Sequence, residues 1–441
     1  MFVYQRTIVN PPGITAVSRP EKATSAPAIR SAPRPSWRFV REVALLLLVV
    51  AASAFVLRGP AVSQSFSIDE SRWIATSRYF WITFLDRDLF GSAWQPNYIV
   101  MTHPPVARYI IGYGLWLQGW QPDELNGRYD SLQSRAFNEQ AGNVPGPELI
   151  AAARRVTYLF AILAVVFLYA AARQLGSTIA GVTTVALALL NPLLTTAWTR
   201  ALAESIVATF GLLALWLALW TLPRVTQPKG QSWQPLALGA ALALAAATKL
   251  NGALGALGLS LFVLVQQGIA LAATGRTAGL RSWVDVGIAA TILFVAVNPL
   301  LYAQPTDRIL MLVKHRQDEM AFQQMIFSGQ AVPDGIAART ERVARRVFDT
   351  YATPHGSSPV TLEMLLVLAG LGVTIRRGTL EIRRRLPGPS LLFLCWSGAT
   401  YAIITANLGF DSSHYYLPLV ALNVVLMGIA VDAGVRAVRR R

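Results

Sequence analysis

The sequence is poor in charge, in cysteine and in histidine, and each shortage excludes a class of protein. Only 14% of its 441 residues are charged, against about a quarter in a soluble domain, which excludes an ordinary soluble globular chain. The single cysteine, Cys395, excludes an intramolecular disulfide framework. The four histidines are scattered, and no metal-ligand spacing, nucleotide-binding glycine loop or nucleophile elbow is present. The motifs therefore give no support to chemistry on a soluble nucleotide sugar.

Apolar sequence is what the chain has in abundance. Hydrophobic residues make up 54% of it, the mean hydropathy is +0.43, and apolar runs of membrane-spanning length recur. Ten such runs lie near 42–57, 149–172, 178–198, 201–222, 235–251, 253–272, 284–303, 360–375, 389–406 and 415–434. We therefore predict an all-α polytopic membrane protein with about ten transmembrane helices and a large first external loop that bears juxtamembrane helices.

The excess of basic residues is interpreted as a topology signal. A net charge of +16 would suit nucleic acid, but the arginines lie between apolar runs, where they orient a membrane protein. With ten spans, the basic connectors all fall on the cytoplasmic side: Arg224 with Lys229, Arg276 with Arg281, Arg376 to Arg385, and Arg436 to Arg441. We expect membrane lipids but no nucleic acid as partners. The chain is predicted to lie in a prokaryotic plasma membrane with both termini cytoplasmic and its active site extracytoplasmic.

The domain boundaries follow from the same pattern. Residues 1–40 are rich in Pro, Ser, Ala and Arg without hydrophobic periodicity, which predicts a disordered basic cytoplasmic arm, a cleaved signal peptide being the alternative. The membrane domain is predicted over 41–435, with external loops at 59–148 and 304–359 and a basic cytoplasmic tail at 436–441. Pro104–Trp120 is apolar but short. If it crossed the membrane, every later basic loop would change sides, so we interpret it as an interfacial or re-entrant helix.

A polar segment in the first external loop contains the first candidate site residues. Asp69 and Glu70 either start a juxtamembrane helix or provide a carboxylate that activates a hydroxyl beside the membrane. Asp86 belongs either to a self-neutralising surface turn or to an acceptor site. His103, before two prolines, either starts the interfacial helix or meets a phosphate or sugar hydroxyl.

The outer ends of other predicted spans contain further candidates. Glu204 either pairs with Arg200 on a helix surface or faces a cavity, because a carboxylate in an apolar helix is costly. Lys249 either snorkels to the headgroups or holds a lipid-linked phosphate, and Arg155 has the same two interpretations. His414 and Tyr415 lie in a short external loop that is an aromatic belt or part of the site.

These motifs together resemble the GT-C superfamily of membrane glycosyltransferases. The resemblance is to the protein O-mannosyltransferase and lipid A aminoarabinose transferase group, the phospholipid-carrier-dependent glycosyltransferases. It covers roughly residues 40–435. It is carried by Asp69-Glu70, His103-Pro104-Pro105, Arg155, Glu204, Lys249 with Asn251-Gly252, and Tyr415-Tyr416-Leu417-Pro418. Two features depart from the pattern: His414 stands where the group often has Arg, and the soluble sugar-binding repeats of eukaryotic protein mannosyltransferases are absent.

The resemblance implies an inverting sugar transfer, in the manner of a mannosyltransferase, from a polyprenyl-phosphate donor to a hydroxyl or phosphate. Asp69 would act as base or orient the acceptor, with Glu70 beside it. The residues expected at the donor phosphate are Arg155, Lys249 and His414, and those expected at acceptor or sugar are Asp86, His103, Glu204 and Tyr415. The acceptor would be a glycan, a lipid or a protein. No tightly bound cofactor is implied, and a divalent cation shared by Asp69 and Glu204 is the less favoured alternative.

Two other function classes fit the sequence less well. A lipid or small-solute transporter or flippase fits the many spans, but such a protein should have ionisable residues near mid-membrane and paired broken helices. A non-catalytic GT-C-like subunit of an envelope complex would keep the fold and bind the donor without turning it over.

Overall fold

The computed structural model describes residues 37–225, 233–351 and 361–440. It divides into two units, residues 1–44 and 45–441, and in the first of these the described part is the beginning of one helix. Most of the predicted N-terminal arm lies outside the described residues, as do Lys229 and Arg441.

The described chain is built from helices joined by short turns. The helices are α1 Trp37–Ser63, α2 Ile68–Thr76, α3 Tyr98–Thr102, α4 Val106–Leu117, α5 Arg135–Gln140, α6 Pro147–Leu175, α7 Thr178–Leu190, α8 Pro192–Thr199, α9 Glu204–Val225, α10 Gln234–Thr248, α11 Leu254–Thr274, α12 Leu280–Ala296, α13 Pro305–Ile326, α14 Ile336–Arg345, α15 Leu362–Arg383, α16 Pro389–Asn407 and α17 Leu417–Arg439. Single helical turns occur at Trp81–Leu85, Ser92–Trp94, Leu250–Ala253, Pro299–Leu301, Ser328–Gln330, Arg346–Thr350 and Ser413–Tyr415. The prediction of an all-α chain is confirmed.

Several of these helices are long and apolar enough to cross a membrane. Among the described residues there are six, in α1, α6, α9, α11 with its preceding turn, α16 and α17, and a seventh if the pair α7 and α8, bent by 73°, forms one span. The predicted runs at 235–251 and 284–303 form the shorter helices α10 and α12, of 15 and 17 residues. The chain is an integral membrane protein, but the predicted count of ten spans is not confirmed.

The segment interpreted as an interfacial or re-entrant helix forms α4, which has only 12 residues. Its Ile111 and Leu115 are fully buried, in a cluster with residues of α2 and α6. At Gly112, a Cβ atom would lie 2.3 Å from the carbonyl oxygen of Ser77, so only glycine permits this close approach. α4 therefore packs tightly against the segment that follows α2.

The second large loop is fastened to the short loop that precedes α17. Ala331 and Phe410 form an isolated antiparallel β-bridge, beside which the Val332 amide donates to the Gly409 carbonyl at 2.9 Å. The buried carboxylate of Asp411 accepts hydrogen bonds from Arg342 and Arg346 at 2.7 to 3.1 Å. The Gln324 side-chain amide of α13 donates to the same Gly409 carbonyl at 2.8 Å, so α13 lies beside the loop that precedes α17.

Candidate active site

A polar chamber of about 660 Å³ lies between α2, α3, α13 and the segments that precede α9 and α17. Its charged lining residues are Asp69, Arg72, Arg108, Arg128, Arg200, Glu204, Lys249, Arg316 and Glu319, with His103 and His414 among them. Cationic side chains outnumber the acidic ones in this lining, so the chamber suits a substrate that carries negative charge. Besides Asp69, five residues expected at the site from the sequence line the chamber: His103, Glu204, Lys249, His414 and Tyr415.

Asp69 is the accessible carboxylate of the chamber. It lies in the first turn of α2, where Ser67 is the N-cap residue, and 47% of its side chain is exposed. Its oxygens are 3.8 Å from Arg72 Nη1 and 3.9 Å from His414 Nε2. Both distances are too long for a hydrogen bond. The oxygens of Asp69 can therefore still accept hydrogen bonds from a substrate.

Glu70, the next residue, has the opposite environment. Its side chain is fully buried, and both oxygens pair with Arg154, from Nε and Nη2, at 2.7 Å each. The amides of Ser67 and Ala201 also donate to this carboxylate, each at 3.0 Å. Two-point pairing of this kind fixes geometry strongly. Glu70 therefore anchors α2 instead of facing the chamber.

Arg154 extends this anchor to the connection between α1 and α2. Its remaining hydrogen bonds go to the carbonyls of Ala61 at 3.4 Å, Gln64 at 2.9 Å and Ser65 at 3.2 Å. The Gln64 side chain in turn bonds the Thr199 hydroxyl at 2.8 Å and Arg200 Nε at 3.0 Å. The turn that carries Asp69 and the turn that leads to Glu204 are thus held to each other.

Glu204, Lys249 and His414 form a charged cluster from three distant parts of the chain. Lys249 Nζ donates to Glu204 Oε1 at 2.7 Å. His414 Nδ1 lies 3.2 Å from the same oxygen, although the two are not aligned for a hydrogen bond. Within the described ranges, Glu204 Oε2 is buried without a hydrogen-bond partner. Buried acceptor atoms normally receive a hydrogen bond. Glu204 Oε2 can therefore accept one from a substrate hydroxyl.

The helix is interrupted after α10, and this interruption directs the Lys249 side chain into the chamber. Lys249 is extended, with φ −157° and ψ 140°, and a single helical turn follows before α11. At Gly252 in that turn, a Cβ atom would lie 2.0 Å from the carbonyl oxygen of Ala245. The Lys249-Leu250-Asn251-Gly252 string is therefore a tight reversal that only glycine at its fourth position allows.

An apolar slot of about 90 Å³ meets the polar chamber at this cluster. Glu204, Lys249 and His414 line both cavities. The rest of the slot is formed mainly by apolar residues of α9, α11, α16 and α17, among them Val207, Leu212, Leu254, Trp396, Leu417 and Ala421. An amphiphile with its charge between a polar and an apolar part fits this junction.

His103 lies half-buried on the other side of the chamber. Its ring stacks on Trp73, with centroids 5.2 Å apart and planes 18° from parallel. The Arg108 guanidinium lies 5.9 Å from the centre of the same Trp73 ring. Burial, and then the nearby cations Lys249 and Arg108, lower the pKa of His103 well below its ordinary value. The imidazole is therefore neutral at neutral pH and offers one donor and one acceptor.

The second external loop supplies site residues that the sequence interpretation missed. Arg316 of α13 bonds Glu319 Oε2 and the Tyr415 hydroxyl, each at 2.5 Å. The Tyr98 hydroxyl donates to Glu319 Oε1 at 3.3 Å. One face of α13 carries Arg316, Glu319 and Gln323, which are three and four residues apart. This helical spacing is the sequence feature that could have identified a polar face of α13 turned towards the chamber.

Besides Glu70, two more predicted site residues lie outside the chamber. Asp86 is exposed and follows the turn Trp81–Leu85, and it is not among the chamber's lining residues. Arg155 is exposed, donates to Gln118 Oε1 at 3.1 Å, and lines a different groove. In the part of the chain that the structure describes, no group of three or more His, Cys, Asp or Glu is arranged to hold a metal ion.

Comparison with known proteins gives one family match and several matches in fold. The family model described as dolichyl-phosphate-mannose-protein mannosyltransferase matches residues 92–304. No curated protein sequence matches the chain significantly. The structure of ArnT from Cupriavidus metallidurans in the apo state has 19% identity and a TM-score of 0.51, covering 89% of this chain and 60% of that one.

The archaeal oligosaccharyltransferase AglB from Archaeoglobus fulgidus, in complex with an inhibitory peptide and a dolichol-phosphate, matches with 13% identity and a TM-score of 0.55. The match covers 92% of this chain and 52% of AglB. The chain therefore spans 60% of the length of ArnT and about half that of AglB. The resemblance to GT-C glycosyltransferases expected from the sequence is confirmed, and the chain has the GT-C fold.

Proposed function

We propose that the protein is a glycosyltransferase that moves a sugar from a polyprenyl-phosphate donor to an acceptor hydroxyl or phosphate at the extracytoplasmic face. One observation carries this proposal: Glu204, Lys249 and His414 line both the polar chamber and the apolar slot. A polyprenyl-phosphate sugar has its phosphate between an apolar chain and a polar sugar. It therefore matches this junction with its phosphate at the cations, its sugar in the chamber and only the first part of its isoprenoid chain at the slot, whose volume is about 90 Å³.

The proposed reaction is an inverting displacement at the anomeric carbon. The acceptor oxygen forms a bond to that carbon while its proton passes to Asp69, which is the exposed carboxylate of the chamber. The bond between the anomeric carbon and the phosphate oxygen breaks on the opposite face, and polyprenyl phosphate leaves. Lys249 and His414 stabilise the charge that develops on the departing phosphate.

The other chamber residues would position the two substrates. Glu204 Oε2, which is buried without a partner among the described residues, accepts a sugar hydroxyl, and the Trp73–His103 stack offers a flat surface to the sugar ring or the acceptor. Tyr415 and Arg316 close the opposite side. Glu70 acts through α2 as a positioning residue. The sugar is a hexose, such as mannose, or a pentose, and the acceptor classes are glycan, lipid and protein.

Two measurements test the proposal. Lipids that co-purify with the protein are analysed by mass spectrometry, and the expected finding is a polyprenyl phosphate with or without a sugar. The protein is then reconstituted with radiolabelled undecaprenyl-phosphate mannose and membrane acceptors, and transfer is compared with that of Asp69→Asn. Asp123→Asn, an exposed carboxylate of the same loop, is the matched control. Full transfer by correctly folded Asp69→Asn protein would exclude Asp69 as the base, and transport of the donor without a covalent product would exclude the enzyme.

A further inference from the structure

A second groove, here called the outer groove, lies between the end of α1 and the start of α6. Its volume is about 660 Å³, and it shares only Phe66 with the polar chamber among their lining residues. Its floor and walls are largely apolar, with Val62, Ile150, Ala151 and Tyr158 among them. Val62 is 77% exposed, so the groove opens sideways from the bundle, at the end that also bears the chamber.

The charges of the outer groove are all of one sign. Its ionisable lining residues besides Tyr158 are Arg58, Arg154 and Arg155. Arg154 is neutralised by Glu70. In the described ranges, neither Arg58 nor Arg155 pairs with a carboxylate, and Arg155 bonds only the neutral Gln118 side chain. Two exposed cations above an apolar floor complement an amphiphile with an anionic head.

The outer groove is connected to the site that contains Asp69. Ala61 and Gln64, which line it, have carbonyls that accept from Arg154 Nη1 at 3.4 and 2.9 Å. The same guanidinium holds Glu70, the neighbour of Asp69. A ligand that packs on this wall therefore stabilises the turn that positions α2.

We propose that the outer groove binds an anionic glycerophospholipid of the surrounding leaflet. Its phosphate lies at Arg58 and Arg155, and one acyl chain packs against Val62, Ile150 and Tyr158. This lipid is separate from the sugar donor, because the donor's proposed phosphate site at Lys249 and His414 belongs to the chamber and the slot. The bound lipid acts as a structural ligand that supports the turn before α2.

Binding is measured on the purified full chain in neutral detergent. Phosphatidylglycerol is titrated in, and the bound lipids are counted by native mass spectrometry, with phosphatidylcholine and undecaprenyl phosphate as competitors. One phosphatidylglycerol should be retained in preference to phosphatidylcholine. The variant Arg58→Ala/Arg155→Ala should bind it about thirty-fold more weakly, from the loss of two basic contacts at a membrane surface. Ala151→Trp, which fills the groove and keeps both charges, should also lose it.

The matched control is Arg383→Ala/Arg384→Ala, which removes two exposed arginines from the end of α15. Retention of the tight lipid by this control, and its loss from the other two variants, supports the proposal. An equal loss from the control would show general surface attraction and would overturn it. Displacement of phosphatidylglycerol by undecaprenyl phosphate in preference to phosphatidylcholine would assign the groove to the donor, and would overturn it as well. Each readout is a binding measurement, so the result is independent of sugar transfer.

Discussion

The carboxylate of Glu70 and the guanidinium of Arg154 face each other in two hydrogen bonds of 2.7 Å, although the residues lie 84 positions apart. Both side chains are almost completely buried, at 0% and 6% exposure. This pair fastens α2 to α6, and the next carboxylate along the chain, Asp69, is thereby presented to the polar chamber. Two adjacent acidic residues thus have different tasks: one orders the helix and the other is available to substrate.

The first prediction concerns the stability of this pair. Arg154→Ala leaves the buried Glu70 charge without a partner, which should destabilise the protein by about 3 to 5 kcal/mol. In delipidated protein, Arg155→Ala, at the neighbouring exposed position, should change stability by less than about 0.5 kcal/mol. Thermal unfolding in detergent, followed by size-exclusion chromatography of heated samples, measures both. Similar losses in the two variants would contradict the assigned role.

The second prediction concerns Lys249 and the donor phosphate. Lys249→Met keeps the length of the side chain but removes its charge, so sugar transfer should fall by about 10² to 10³-fold, as when one preorganised stabilising donor is lost. The variant also leaves Glu204 unpaired, which adds a stability loss. The double variant Glu204→Gln/Lys249→Met should recover stability without recovering transfer.

Lys314→Met, at an exposed position of α13, is the control for the charge change and should retain transfer. Transfer is measured with labelled polyprenyl-phosphate sugar in proteoliposomes. If the double variant regains both stability and transfer, Lys249 has only a structural task.

The third prediction is a pH dependence that arises from His103. Burial is the main cause that lowers the pKa of His103, and the surrounding cations add to it. These cations are Lys249 after α10, Arg108 of α4, Arg316 of α13 and Arg72 of α2. The folded protein keeps this imidazole neutral, whereas the unfolded chain protonates it below about pH 6.5. Its contribution to stability is therefore complete above that pH and is lost as the pH falls, by at most about 1.4 kcal/mol per unit.

His103→Asn keeps a polar side chain but does not titrate, so its stability should vary less with pH over this range. Thermal unfolding at pH 7.5 and pH 5.5 compares the variant with the wild type. An identical loss on acidification in both proteins would contradict the prediction.

The sequence predicts the class of this fold well, because apolar runs of helical length are local features. It also predicts that Asp69, Glu204, Lys249 and His414 share one side of the membrane domain, and the structure brings all four to one chamber. The sequence does not show which residue pairs with Glu70. Two adjacent arginines start the α6 span, and only the packing of α6 decides that Arg154 is buried and Arg155 exposed.

The contribution of α13 shows the same limit. Residues 305–326 form a polar helix in a long loop, and their spacing predicts a helix but not what it covers. The contacts of Arg316 with Tyr415 depend on the bridge between residues 331 and 410, which joins parts of the chain that are distant in sequence. Such long-range pairings leave no local pattern, so the chamber's wall could not be assigned before the fold was known.

The last prediction tests the reversal that directs Lys249 inward. Gly252→Ala places a Cβ atom 2.0 Å from the Ala245 carbonyl oxygen, so the turn must open and Lys249 must move away from Glu204. Gly268→Ala, in α11, meets nothing within 4 Å and should stabilise its helix by up to about 1 kcal/mol. We therefore expect loss of both stability and transfer for Gly252→Ala and neither for Gly268→Ala, measured by thermal unfolding and the proteoliposome assay. Retained transfer in Gly252→Ala would show that the position of Lys249 does not depend on this turn.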